Sequence, residues 1–236
     1  MTHDEQFPVG AAARNNAEWC AAMCRAHGLR GVFGTLAWTA PARTPPFYPD
    51  AVTLGPGADA DAVLAGVDTL TPGASVKDSF ADLDLAPAGF RVLFEARWIH
   101  RPPGPPAVPT DLLPGVAADP AALRGWALAR EEQGDSDLFV PRLLDDPATS
   151  VLVGRSGDGR VAAGAVATLG AGVVGLSNVF AREGGPDAAW AFALTAAHRL
   201  LPELPVVGYE HGEDLDAALR HGCRAIGPLR IWLHAP

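Results

Sequence analysis

The residues best suited to acid–base chemistry lie side by side at the end of a predicted strand. Val206 to Glu210 begins with β-branched residues and finishes with Tyr209 and Glu210. A carboxylate can accept a proton and a phenol can donate one, as a group-transfer reaction requires of its base and acid. Glu210 and Tyr209 are therefore candidates for proton transfer. The alternatives are a solvated charge at a strand end for Glu210 and a core position with a bonded hydroxyl for Tyr209.

A second candidate feature is the glycine-rich turn Arg182-Glu-Gly-Gly-Pro-Asp187, which opens a predicted helix extending to about Leu201. Backbone N–H groups in such a turn, with the partial positive charge of the helix N-terminus, favour an anion. Pro186 removes one donor, and the carboxylate of Asp187 would repel an anion. The alternative interpretation is an ordinary turn in which Asp187 is the N-cap of the helix.

The elements that position these residues follow one another in a regular order. Asp119 is placed to cap a helix from Pro120 to about Glu132, and a short helix is expected over 138–144. Three strands follow, over 150–155, 161–168 and 172–180, and the glycine-rich turn and its helix come next. After the strand that ends at Glu210, a short helix over 214–221 and a closing strand through Trp232 complete the pattern.

This order of elements resembles the Gcn5-related N-acetyltransferase (GNAT) superfamily. The resemblance implies an α/β (α+β) fold with a mixed, mostly antiparallel sheet flanked by helices. It also implies that the sheet opens between two strands, where the main chain pairs with the pantetheine arm of acetyl-CoA, the acyl donor. The implied donor-binding residues are Asn178, Val179 and Phe180 on the strand, and Arg182, Gly184, Gly185 and Ala188 around the turn.

The chemistry implied by the resemblance is direct attack of an amine on the thioester of acetyl-CoA. Members of the superfamily often use a tyrosine as the acid, and the matching position here is Ala218. The resemblance therefore makes Tyr209 the candidate substitute for the acid and Glu210 the candidate general base. Asp78 is an alternative carboxylate, whereas His198 and His221 are expected to be surface residues or partners of helix dipoles. Two further readings stay open: a catalytically inactive ligand-binding or interaction module with the same fold, and transfer of another acyl group such as an aminoacyl group.

The halves of the chain share a pattern that predicts two lobes of this fold. Asp-Leu-Asp, a glycine and a strand with tryptophan and histidine recur in the same order before His100 and before His234. The proline-rich segment 101–110 predicts a linker, with a surface loop as the alternative. We therefore expect a degenerate N-terminal lobe over 1–100 and a complete C-terminal domain over 111–236.

Within the first half, a helix is expected from Asn15 or Asn16 to His27, a strand over 31–38 and a helix over 59–70. Cys20 and Cys24 are one helical turn apart, and buried packing is favoured over a metal site. Four aromatic residues are expected to fill cores, with the lining of a cleft as the alternative: Phe47, Tyr48, Trp98 and Trp126.

Composition and charge limit the partners. The net charge of −9 argues against nucleic acid and against an anionic membrane surface. The sequence lacks a run of about 18 apolar residues, and its start does not have the pattern of a secretory signal. Three cysteines and abundant alanine and arginine predict a cytoplasmic protein of a GC-rich bacterium. An exposed closing strand ending at His234 could pair with a second copy, giving a homodimer.

Overall fold

The structure of the protein is a computed structural model that describes residues 3–131 and 136–234. The chain divides into two compact units. The first contains the chain up to Trp98 together with Ile226 onwards, and the second is Ile99–Ala225. The predicted linker at 101–110 lies just after the chain first enters the second unit. The closing strand, which we expected in the C-terminal domain, groups with the first unit instead.

The element boundaries follow in chain order. The first unit contributes α1 (His3–Ala26), β1 (Val32–Phe33), β2 (Ala37–Thr39), β3 (Ala51–Thr53), α2 (Ala60–Leu64), β4 (Ser75–Asp78), a 3-10 turn (Ala86–Ala88) and most of β5 (Phe90–Arg101). Next come β6 (Leu113–Val116), α3 (Pro120–Arg130), 3-10 turns at Ser136–Leu138 and Pro141–Asp145, β7 (Thr149–Arg155), β8 (Val161–Gly170), β9 (Val173–Ala181), α4 (Gly185–Leu200), β10 (Val206–Glu210), α5 (Gly212–Arg220) and β11 (Arg224–His234).

Strands of the first unit are ordered β1-β2-β3-β4-β11-β5, and all the registered pairs among β1, β2, β3, β4 and β11 are antiparallel except β3 with β4. In β11, Arg230 to Leu233 pair with Asp78 to Ser75. The closing strand is therefore inside the sheet. Because its neighbours already use its backbone groups, the predicted route to a homodimer through this edge is not accessible.

In the second unit, the strand order is β10-β9-β8-β7-β6, with β9 and β10 parallel and the others antiparallel. Its core packs α4 and α5 against the sheet, and small side chains such as Ala163, Ala165, Ala193 and Ala217 allow close approach. The mixed, mostly antiparallel sheet flanked by helices confirms the predicted fold class. The N-cap of α3 is also as expected, because the Asp119 carboxylate accepts the N–H of Ala122 at 2.8 Å.

The first half departs from expectation at three elements. Helix α1 starts at His3, and it contains alanines 11–13, which favour helix and are buried. Asn16 lies in mid-helix, where its Oδ1 accepts a hydrogen bond from Lys77 Nζ at 2.7 Å. The strand expected over 31–38 is a hairpin of β1 and β2. Helix α2 ends at Leu64, since Gly66 lies against Thr39, and Leu70 is exposed.

Tryptophans 98 and 126 fill cores as predicted, and their indole N–H groups donate to Ser79 O and Leu152 O. Phe47 does not fill a core, because its side chain is exposed and its φ is positive. Cys20 and Cys24 are buried thiols whose pKa values are raised by loss of water to about 11 and about 12.

Candidate functional site

The parallel strands β9 and β10 are joined only at their starts. The register pairs are Val206 with Val174 and Val207 with Gly175, while β9 continues to Ala181 and β10 to Glu210. At Gly208 the backbones still lie close, since an added Cβ would be 3.0 Å from Leu176 O. Beyond that point the two strands have no further register pair with each other, and we call this stretch between them the gap.

A β-bulge in β9 lies at this gap. Gly164 of β8 pairs with Phe180 and Val166 pairs with Ser177, so that Asn178 and Val179 together face one residue of β8. Asn178 has a φ of +52°, the left-handed conformation that re-aims a bulged strand. The bulge therefore takes main-chain groups of Asn178 and Val179 out of the β8 ladder, on the strand that borders the gap.

The side chain of Phe180 belongs to the core, although its backbone lies along the gap. Its ring packs edge-on against Trp126 at 5.5 Å between centroids. A Cβ at Gly164 would collide with both rings, so this glycine is what lets α3 and β9 meet over β8. Any contribution of Phe180 to a ligand in the gap would thus come from its main chain.

Where β9 ends and α4 begins, a cavity of about 1000 Å³ opens within the second unit. Its wall includes residues 108–112, the α3 residues Leu128 and Ala129, and residues 160–162 at the start of β8. The remaining wall comes from residues 181–183, 187–188 and 191 and from the end of α5 at Arg220 and His221. A cavity of this size is of the kind that small-molecule sites occupy.

The glycine-rich turn forms the start of α4 differently from the predicted capping. Gly184, with a φ of +80°, is the N-cap, and among the described residues it receives no side-chain capping bond. Asp187 is therefore not the N-cap but lies in the first turn. Pro186 has no N–H, so the donors that this end of the helix can offer come from its other residues.

The Asp187 carboxylate is held by two side chains from the end of α5. Arg220 Nε donates to Oδ1 at 3.0 Å and Nη2 donates to Oδ2 at 2.7 Å, and His221 Nε2 lies 3.2 Å from Oδ1. The hydrogen bond from Arg220 is the main cause that lowers the pKa of Asp187 below its usual value. The carboxylate that we expected to repel an anion is therefore compensated by a fork of N–H donors.

His221 is buried in this arrangement, so the predicted surface position is wrong, whereas its place at the C-terminal end of α5 fits the predicted partner of a helix dipole. Its position follows from the end of α5: Gly222, with a φ of +88°, closes the helix, and Cys223 N donates to Ala218 O. Sequence reasoning missed Arg220 altogether. Its partner, Asp187, lies 33 residues away in the sequence. The one local signal was the glycine after α5, which indicates a tight helix end with a fixed last turn.

Arg182 lines the cavity. Its backbone N–H donates to Ala162 O at 2.8 Å and one guanidinium nitrogen, Nη1, donates to Ala129 O at 3.3 Å. The arginine thus ties the turn to β8 and to the last turn of α3. Ala188 lines the same cavity, whereas Asn178, Val179, Gly184 and Gly185 lie on the strand and turn that lead to it.

Glu210 and Tyr209 lie on β10 beyond its last registered pair with β9, and both are half-buried. Neither side chain lines the cavity at the α4 turn. Loss of water, with a smaller contribution from Asp214, raises the pKa of Glu210 to about 8. The buried thiol of Cys223, whose pKa is raised to about 12 mainly by desolvation, also interacts electrostatically with Glu210. A carboxyl group that titrates near neutrality is suited to proton transfer.

Neither of the other two candidates, Asp78 and His198, lines the cavity. Asp78 is fully buried in the first unit and accepts backbone N–H groups of Phe80, Asp82 and Leu83 at 3.1–3.4 Å. His198 lies in the last turn of α4. Within residues 3–131 and 136–234, histidine, cysteine and acidic side chains do not gather in any group of three that could hold a metal ion. None of the described helices is long and apolar enough to cross a membrane.

Comparisons with known proteins find the same architecture in solved structures. A GCN5-related N-acetyltransferase from Kribbella flavida matches with a TM-score of 0.63 and 17% identity, over 95% of this chain and 96% of that one. A GCN5-related N-acetyltransferase from Sphaerobacter thermophilus matches with a TM-score of 0.52 and 14% identity, over 94% and 92%. An acetyltransferase of the GNAT family from Colwellia psychrerythraea matches with a TM-score of 0.52 and 12% identity, over 89% of this chain and 87% of that one.

No family model matches the sequence, and no curated protein does either. The structural likeness extends over nearly the whole chain, so both units are included in it. The chain therefore has the GNAT fold.

Proposed function

We propose that the protein is an N-acyltransferase that transfers an acetyl group from acetyl-CoA to an amine. The observation that carries this proposal is the path of β9, which has the bulge at Asn178 beyond its last register pair with β10 and then leads to the cavity at the start of α4. In this fold, that path suits a ligand with an extended amide-bearing arm and a phosphorylated end. The bulge at Asn178 and Val179 fits the first part, and the turn with its nearby arginines fits the second.

The proposed binding residues divide between main chain and side chain. Main-chain groups of Asn178, Val179 and Phe180 would pair with the pantetheine arm, much as another strand would. Gly184 and Gly185 allow a close backbone approach at the phosphates, and Ala188 keeps the first turn of α4 small. Arg182 would place positive charge beside the phosphates at the cavity wall.

Glu210 is the proposed general base. It would take a proton from the amine as the nitrogen attacks the thioester carbonyl, and Tyr209 would donate a proton to the departing thiolate. Because burial raises the pKa of Glu210 to about 8, the carboxylate form becomes dominant only above that pH. A base with this pKa predicts turnover that rises as the pH increases toward 8 and then levels off.

The direct test is calorimetric titration of the purified protein with acetyl-CoA and with free CoA. A dissociation constant in the micromolar range, about −8 kcal/mol, would support a working donor site and justify screening amines. Glu210→Gln should then lower kcat by about 10²–10⁴-fold, with unchanged affinity for acetyl-CoA. Failure to bind at millimolar donor would refute the proposal.

The buried Ala218 favours a second candidate, an inactive module that binds CoA or another ligand. This alanine stands where the superfamily often has its acid. The distinguishing experiment is turnover with a panel of polyamines, aminoglycosides and peptide N-termini, using Tyr209→Phe as the matched variant. Donor binding without turnover of any amine would favour the module. Turnover that falls in Tyr209→Phe would favour the enzyme.

A further inference from the structure

The start of α4 has two features that disfavour an anion, and side chains from the end of α5 offset them. Pro186 removes a donor from the first turn, and Asp187 places a carboxylate where an anion would lie. The end of α5 nevertheless brings Arg220 and His221 onto that carboxylate, and all three residues line the cavity.

The geometry of the ion pair leaves part of the Arg220 guanidinium for a ligand. Asp187 accepts from Nε and Nη2, which are the side edge of the group. A guanidinium carries five N–H donors, so Nη1 and the second hydrogen of Nη2 are not used by this pair. An arginine held on one edge by a carboxylate has already lost its rotamer freedom, and it therefore binds a second anion with a smaller entropic cost.

We propose that Arg220 contacts a phosphate of the acyl donor and that Asp187 is a positioning residue that holds Arg220, with His221, at the mouth of the cavity. Asp187 thus supports anion binding instead of opposing it, and α5 supplies the positive charge that the α4 turn lacks. This inference rests on the proposed function, because acetyl-CoA is the phosphate-bearing ligand.

The test is a double-mutant cycle on CoA affinity, measured by calorimetry with Asp187→Asn, Arg220→Ala and the double variant. Arg220→Ala should weaken binding about tenfold, the effect of one charge-assisted hydrogen bond. Asp187→Asn should weaken it about threefold, because the amide holds the guanidinium less firmly. The double variant should bind no more weakly than Arg220→Ala, since Asp187 acts only through that side chain.

Two controls separate a phosphate contact from a general loss of structure. Arg230→Ala removes a half-buried arginine that pairs with Glu95 and does not line the cavity, and it should leave affinity unchanged. The dependence of affinity on salt should become shallower in Arg220→Ala and stay the same in Arg230→Ala, because salt screens the attraction between the bound phosphate and a nearby charge. Arg220→Lys should restore part of the affinity, because it keeps the charge without the fork.

The outcomes are distinct. Tighter CoA binding by Asp187→Asn would mean that Asp187 repels the phosphate, and unchanged binding by Arg220→Ala would mean that Arg220 does not touch it; either result overturns the inference. Titration of the same variants with inorganic pyrophosphate covers the case in which the wild type does not bind CoA. Pyrophosphate binding lost in Arg220→Ala would then support the anion site while the proposed function fails, and no binding of either ligand would overturn both.

Discussion

The turn before α2 and the turn before α4 are built from similar residues. They differ in whether side chains of the same unit accept hydrogen bonds from their N–H groups. In the first unit, Gly57 N donates to the Asp82 carboxylate at 2.7 Å, and Asp59 caps α2 by accepting Ala62 N at 2.9 Å. In the second unit, Gly184 is an N-cap without a side-chain partner among the described residues, and the nearby Asp187 faces Arg220. A turn whose donors are taken by its own chain is a closed structural element, whereas one whose donors are left open can receive a ligand.

One carboxylate of each unit shows the same difference. Asp50 of the first unit accepts hydrogen bonds from Thr44 N, Thr44 Oγ1 and Ser75 N, and it pairs with Arg43. Glu210 of the second unit has its pKa raised by burial and by a neighbouring carboxylate. The first environment surrounds the carboxylate with hydrogen-bond donors and holds a loop. The second makes ionisation costly, which is what a group needs in order to exchange protons near neutral pH.

The largest effect expected from this comparison is in the first unit. Asp50→Ala should lower the free energy of unfolding by about 3–5 kcal/mol, since it leaves Arg43 and two N–H groups without their buried acceptor. Chemical denaturation measures this, with Glu95→Ala at an exposed pair as the matched control, expected to cost less than about 1 kcal/mol. A similar small loss in both variants would show that Asp50 does not hold the loop.

Glu210→Gln should stabilise the protein at high pH. The folded-state pKa of about 8 lies above the ordinary 4.5, so the contribution of Glu210 to stability is fully present below pH 4.5 and is lost as the pH rises to 8. The glutamine variant, which cannot ionise, should be more stable than the wild type by about 2 kcal/mol at pH 9, after allowance for solvent screening. Denaturation at pH 5 and pH 9 checks this; an equal difference at both values would contradict the raised pKa.

Two glycine substitutions compare the turns directly. Gly57→Ala should cost about 1 kcal/mol, because its φ is +71° but an added Cβ meets open space. Gly184→Ala should cost about 2 kcal/mol, because its φ is +80° and its Cβ would also lie 2.8 Å from that of Ala188. Thermal unfolding gives both values. Only Gly184→Ala should also weaken CoA binding, and a loss of affinity in Gly57→Ala would break the distinction between the turns.

The smallest expected effect concerns the two first-turn carboxylates. Asp59→Ala should lower stability by about 1 kcal/mol, as loss of an N-cap does. Asp187→Asn should leave the midpoint of thermal unfolding within error of the wild type, because its pair with Arg220 is exposed. If Asp187→Asn instead lowers the midpoint as much as Asp59→Ala, then Asp187 acts chiefly on the stability of α4.

The local sequence pattern was sufficient to predict much of the fold. Strands β7, β8 and β9, helix α3 with its Asp119 cap and the order through α5 followed from apolar periodicity and cap residues. It was insufficient for α1, where Asn16 looks like a cap by type but bonds to Lys77 from β4. It also failed to indicate that β11 pairs with β4, because backbone pairing between distant strands leaves little trace in either sequence.

For the candidate site, the sequence by itself determined the glycine-rich turn, the arginine at its start and the carboxylate at the end of β10, because each depends on neighbours along the chain. Only the tertiary structure decided what Asp187 does. Its carboxylate contacts Arg220 and His221, which are more than thirty residues away in the sequence and lie at the end of α5. Coulombic and hydrogen-bond energies depend on distance in space, and a one-dimensional pattern does not contain that distance.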